Sequence, residues 1–167
     1  PIELCEQIAG AGHHVVRFDN RDCGLSSKTA GNPPNVMAIV MAAMSGQPVG
    51  DVPYSLSDMA SDAAAVLDAL GVDQAHVAGA SMGGMITQQM AIDHPTRVAS
   101  ITSIMSTTGS PTVGQPNPDA MAALLGTPPS ERSAAIERNV ELGRIISGPL
   151  FNEDLAREAA TAAYDRS

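Results

Sequence analysis

A chain of 167 residues, 44% of them hydrophobic, is long enough for one domain with a real core and too apolar to be a disordered polypeptide. Its net charge of −9 argues against nucleic acid as a partner, because the nine Lys and Arg are scattered and phosphate neutralisation needs them clustered. Aromatic residues make up only 2%, so Ala, Val, Ile, Leu and the nine Met must fill the interior.

Residues 1–9 read as a helix, with Ile2, Cys5, Ile8 and Ala9 on one face and Gly10 as its stop. Residues 13–19 read as a buried strand centred on Val15, Val16 and Phe18, and residues 20–24 as a turn. Residues 36–44 read as a short helix whose Met37, Met41 and Met44 serve as adaptable core filler. That apolar run is about half the length a bilayer span requires, so no membrane partner is expected. No leader peptide is visible, which fits a cytoplasmic protein, although the chain opens at Pro1 already inside a helical pattern and the natural start is expected upstream. Cys5 and Cys23 have no metal-binding spacing and read as free thiols.

Residues 55–70 carry the clearest helical pattern. Ser55 and Asp58 form a capping box, Leu56, Met59, Ala60, Ala63, Val66, Leu67 and Leu70 share the apolar face, and Gly71 ends the run. A strand at 74–78, a tight turn at 79–84, a helix at 85–93 stopped by His94-Pro95, and a strand at 98–104 follow. This strand–helix alternation with short connections implies a parallel sheet covered by helices. After Gly109 the strand pattern ends, and residues 119–125, 130–146 and 152–164 read as helices. The chain therefore divides into a core at 1–109 and a helical segment at 110–167.

Chemistry is concentrated in Gly79-Ala80-Ser81-Met82-Gly83, a G-x-S-x-G motif between a strand and a helix. A serine there must occupy a sharp, strained turn so that its hydroxyl projects above the sheet. Residues two before and two after it must be small because strand and helix nearly touch, a demand that Gly79 and Gly83 meet. The Met82 N–H, at the helix N-terminus, can face a developing oxyanion with the helix dipole behind it. A Gly-rich turn without chemistry is the plain alternative, and the strand–turn–helix context weighs against it. A phosphate loop fails, since there is no G-x-G-x-x-G and no Lys after the glycines.

With that turn, residues 16–27 (Val-Arg-Phe-Asp-Asn-Arg-Asp-Cys-Gly-Leu-Ser-Ser) and 94–98 (His-Pro-Thr-Arg-Val) make the chain resemble the α/β-hydrolase superfamily, and within it esterases of the aclacinomycin methylesterase type. The resemblance implies a partial α/β-hydrolase fold, with parallel strands 4, 5 and 6 of that fold plus flanking helices, followed by an incomplete helical cap. It implies Ser81 as nucleophile, Met82 N–H as half of the oxyanion hole, no cofactor, no metal and a small-molecule ester substrate. Ser at 81 also separates the chain from dehalogenases and epoxide hydrolases of this fold, which place Asp there.

The mechanism further needs a His base and an acid. The only histidine after Ser81 is His94, about 15 Å away at the far end of a helix of about ten residues, and it reads as surface or cap packing. His13, His14 and His76 open strands at the opposite sheet edge. Residues 103–108 contain no Asp or Glu, Asp19 reads as a loop-structuring carboxylate, and Arg21 with Asp22 as a loop ion pair. The resemblance places the base, the acid, the other half of the oxyanion hole and a central strand outside these residues, so the chain is expected to be a fragment lacking both ends, inactive and poorly folded alone. The expected parent activity is ester hydrolysis through an acyl-enzyme. A perhydrolase, acyltransferase or C–C hydrolase would use the same turn, and a non-catalytic binding relative is the alternative of another class. Met121, Leu124, Leu125, Ile145 and Ile146 suit either an apolar lining of the site or, as the preferred reading, helix-packing core.

Overall fold

The computed structural model describes residues 2–166 apart from 32, 33, 36, 37, 40, 41, 43–46, 48, 49, 51, 111, 115 and 116. Helix α1 (Ile2–Gly10) forms as its pattern predicts, but none of its residues is buried. Its Ile2, Cys5 and Ala9 face Val15 and Arg17 across a gap of about 230 Å³. Most of the helix expected at 36–44, including its three methionines, lies outside the described residues.

Helix α2 (Leu56–Ala69) starts where the capping box places it. Ser55 Oγ accepts from the Asp58 N–H at 3.3 Å, and Asp58 Oδ2 accepts from the Ser55 N–H at 2.8 Å. These bonds satisfy backbone donors that a helix start otherwise leaves open. At the other end Gly71 takes φ +66°, the left-handed geometry that ends a helix without a Cβ clash. Strand β1 (Ala75–Ala80), helix α3 (Met82–Asp93) and strand β2 (Val98–Ile104) complete a β–α–β unit. The strands pair in parallel, with Val77 opposite Ile101 and Ala80 opposite Ile104.

The core lies on one face of this pair. Ala60, Ala63, Ala64 and Leu67 of α2 meet Met90 of α3, with Val72, Ala75, Val77 and Val98 packed against them. Small residues on α2 bring the helix close to the sheet, and Met90, 1% exposed, fills the remaining volume. Leu70, expected on the buried face, is exposed beyond the last turn. Arg97 ties the start of β2 to the α2–β1 link, donating to Asp73 O at 2.7 Å, Val72 O at 2.8 Å and Asp68 Oδ1 at 2.5 Å.

Three parallel strands were expected and two are present among the described residues. Residues 13–19 form no ladder, and Val16 and Phe18 stay 40% and 44% exposed. A strand needs a neighbour to satisfy its backbone groups. The resemblance places a central strand outside these residues, and among the described residues no strand lies alongside this segment. Helices α4 (Pro118–Leu125), α5 (Arg132–Ile146) and α6 (Glu153–Asp165) match the expected tail. They hold a small core of their own, with Ile136, Val140 and Ala160 against Phe151 and Tyr164. Leu124, Ile145 and Ile146 are exposed, so they are not packing core as preferred from the pattern. Among the described residues no helix is long and apolar enough to cross a membrane.

Candidate active site

Ser81 links β1 to α3 at φ +54°, ψ −121°. A non-glycine residue rarely accepts positive φ, which costs on the order of 1–3 kcal/mol and persists only where the surroundings impose it. The surroundings here are specific. The Ser81 N–H donates to Ile104 O at 2.9 Å, so the turn is pinned to the end of β2. The Ser81 carbonyl accepts from Gly84 N–H at 2.9 Å and Met85 N–H at 3.3 Å, starting α3, and from Ser106 Oγ at 2.8 Å. Ser81 and Met82 are both exposed.

The glycines divide the steric demand differently from the pattern. A Cβ on Gly79 would lie 2.1 Å from Gly83 O, 2.3 Å from Gly83 C and 2.7 Å from Thr87 Oγ1. Gly79 is therefore small because the first turn of α3 crosses over it. A Cβ on Gly83 would meet nothing within 4 Å, so its own smallness is not required by the described residues. The tight position on the helix side is Gly84, whose Cβ would lie 2.6 Å from Ser106 Cβ and 2.7 Å from Ser103 Oγ. Buried Thr87 donates to Gly83 O at 2.8 Å and holds that first turn in place.

The Met82 N–H sits at the first position of α3, where no carbonyl one turn back is available to it. The N-terminal end of the helix dipole stabilises negative charge at the same place. Hydroxyl, strained turn and helix-end N–H together are what acyl transfer demands of a nucleophile and half an oxyanion hole.

The four histidines lie elsewhere. His94 ends α3, a twelve-residue helix, about 18 Å from Ser81, with Nε2 3.3 Å from Ser61 Oγ. His76 is near the other end of β1, Nδ1 2.8 Å from Ser100 Oγ on the neighbouring strand. His13 and His14 are exposed ahead of the unpaired segment. Asp19 structures its loop as expected, accepting from the Leu25 N–H at 3.0 Å, and it also pairs with Arg166 at 2.8 Å. The Arg166 guanidinium first, and that N–H second, hold its carboxyl below the usual range. Arg21 and Asp22 do not pair with each other. Arg21 grips Asp62 of α2 through Nε and Nη2, both at 2.7 Å, while Asp22 takes the N–H and hydroxyl of Thr29. The two-bond grip on the Asp62 carboxylate is the stronger geometry for a guanidinium, and both Asp22 oxygens are already taken by Thr29. Cys5 and Cys23 are free thiols.

A cavity of about 530 Å³ lies between this loop and α2, lined by Phe18, Arg21, Ser27, Lys28, Asp62 and Val66. Neither Ser81 nor any histidine lines it, and its charged groups are already engaged, Arg21 with Asp62, Lys28 with loop carbonyls and Asp19 with Arg166 and the Leu25 N–H, so it is separate from the Ser81 turn. Ser106, Gln88, Thr87 and Gly84 shape the elbow and were not singled out as site residues by the sequence. The second glycine of the Gly83-Gly84 pair was the only signal available.

The α/β hydrolase fold family matches residues 1–144. Over nearly the whole chain (98%), the sequence is 32% identical to rhodomycin D methylesterase DauP of Streptomyces sp. (strain C5), and 31% identical to rhodomycin D methylesterase DnrP of Streptomyces peucetius. Each alignment covers 56% of the relative, so the chain spans about half the length of these curated relatives. A stretch of 98 residues, 59% of the chain, is 48% identical to RutD of Azorhizobium caulinodans, named as a carbamate hydrolase, and covers 29% of it. With the strained serine turn between strand β1 and helix α3 and this match along most of its length, the chain belongs to the α/β hydrolase fold family.

Proposed function

We propose that Ser81 is the nucleophile of a serine hydrolase acting on carboxylic esters of small molecules, methyl esters first. The carrying observation is the Ser81 backbone, at φ +54° and pinned on both sides at the mouth of a helix. In this reading Ser81 Oγ bonds to the ester carbonyl carbon as its proton passes to a histidine base. The carbonyl oxygen becomes an anion facing the Met82 N–H. Collapse expels the alcohol, which takes that proton, and water then releases the acid from the acyl-enzyme. The histidine and its acid partner come from outside residues 1–167, since His94 and His76 are turned to other partners. The alignment of 98% of this chain with 56% of each of two methylesterases favours a methyl ester, and the shorter alignment with RutD makes a carbamate the second substrate to try.

Residues 110–167 serve as a cap in this account and residues 1–109 as part of the catalytic core. A separate small core in the helical tail and its exposed Leu124, Ile145 and Ile146 support that division. The test is hydrolysis of a panel of methyl esters and carbamates by the protein expressed from its natural reading frame. The expected result is turnover that Ser81→Ala lowers by about a thousandfold or more. Equal turnover by Ser81→Ala would overturn the assignment.

A further inference from the structure

The segment after β2 contributes to the serine turn in a way that the motif does not announce. Ser106 Oγ donates to the Ser81 carbonyl at 2.8 Å. That carbonyl and the Met82 N–H belong to one planar trans peptide and point in opposite directions. Fixing the carbonyl therefore aims the N–H. Hydrogen bonding to the carbonyl also polarises the peptide and strengthens its N–H as a donor.

Three features hold Ser106 where it can do this. Met105 takes φ +39°, a strained backbone for a non-glycine residue, immediately before Ser106. Gly84 leaves room for Ser106, since a Cβ there would lie 2.6 Å from Ser106 Cβ and 2.8 Å from its hydroxyl. Gln88 Nε2 donates at 3.2 Å to both Ser103 Oγ and Thr107 O, clamping the chain on either side. Among the described residues, the other donors to the Ser81 carbonyl come from α3 itself, and Ser106 is the one that ties this peptide to a second element.

We infer that Ser106 is a positioning residue for the oxyanion hole, aiming and polarising the Met82 N–H through the Ser81 carbonyl, with Gly84 and Gln88 holding Ser106 in place. The inference rests on Ser81 being the nucleophile. It requires the effect of Ser106 to appear where negative charge develops and not in ground-state binding.

The experiment compares Ser106→Ala, Ser106→Thr and Ser81→Ala in the protein expressed from its natural reading frame. It measures ester hydrolysis, inhibition by an arylboronic acid that forms a tetrahedral adduct on serine, and thermal unfolding. Ser106→Ala should lower kcat about tenfold, leave KM within about twofold and weaken the boronic acid about tenfold, a fraction of what losing an oxyanion donor outright costs. Ser106→Thr, which keeps the hydroxyl, should stay within about threefold of the parent. Wild-type kcat and inhibitor affinity in Ser106→Ala, with Ser81→Ala inactive, would overturn the inference and spare the nucleophile. A loss in Ser106→Ala that only follows a lower folded fraction would overturn it too. Full activity in Ser81→Ala would remove the nucleophile and the inference together.

Discussion

Strand β1 and the segment 13–19 differ in what surrounds them. β1 pairs with β2 along its length, lies under α2 and α3, and hands the chain to a serine pinned at both backbone ends. The segment 13–19 has no ladder partner among the described residues, leaves Val16 and Phe18 open, and is followed by a loop held by side chains: Asp19 on the Leu25 N–H, Asp22 on Thr29 and Arg21 on Asp62. One region is built from close backbone approach, the other from polar bonds at the surface. Where its backbones touch, at Gly79 and Gly84, the first type of construction tolerates no added atom, while the second yields gradually.

Substitutions probe this difference directly, and denaturant unfolding of the naturally encoded protein measures most of it. Gly79→Ala should cost about 4 kcal/mol, because the new methyl meets the Gly83 backbone, which cannot rotate away. Met90→Ala should cost about 3 kcal/mol by opening a cavity between α2 and α3. Phe18→Ala, in the open segment, should cost about 1 kcal/mol or less. Gly83→Ala should be neutral or stabilise by about 0.5 kcal/mol, since a Cβ meets open space at the start of a helix. If Gly83→Ala matched Gly79→Ala, the division of labour between the glycines would be wrong.

The smallest effect belongs to the surface cap of α5. The Ser133 hydroxyl, with the Ser133 and Ala134 N–H groups, pulls the Glu131 carboxyl down to about 2. A carboxyl lowered on folding stabilises the folded state above its unfolded pKa and loses that contribution as pH falls towards the folded value. The first turn of α5 should therefore loosen between about pH 4.5 and 2. An NMR titration of the Glu131 carboxyl should show the low midpoint, and an ordinary one would contradict the cap.

Much of this was readable in the residues. Ser55 and Asp58 announce the start of α2, Gly71 its end, and Gly79-Ala80-Ser81-Met82-Gly83 the turn, because each acts through neighbours within a few positions. Features that depend on distant residues were not readable. Residues 13–19 have the composition of a strand, but pairing is decided by whichever strand lies alongside. Arg21 selected Asp62, 41 positions away, over adjacent Asp22. Gly84 looks like an extension of the motif until Ser106 is seen in the space it leaves, and nothing local marks Ser106 itself.

The account turns on Ser81 being a reactive hydroxyl. Treating the naturally encoded protein with a fluorophosphonate and mapping the adduct by mass spectrometry tests this most directly. The account predicts one adduct, on Ser81, absent from Ser81→Ala; labelling of another residue, or equal labelling of Ser81→Ala, would contradict it.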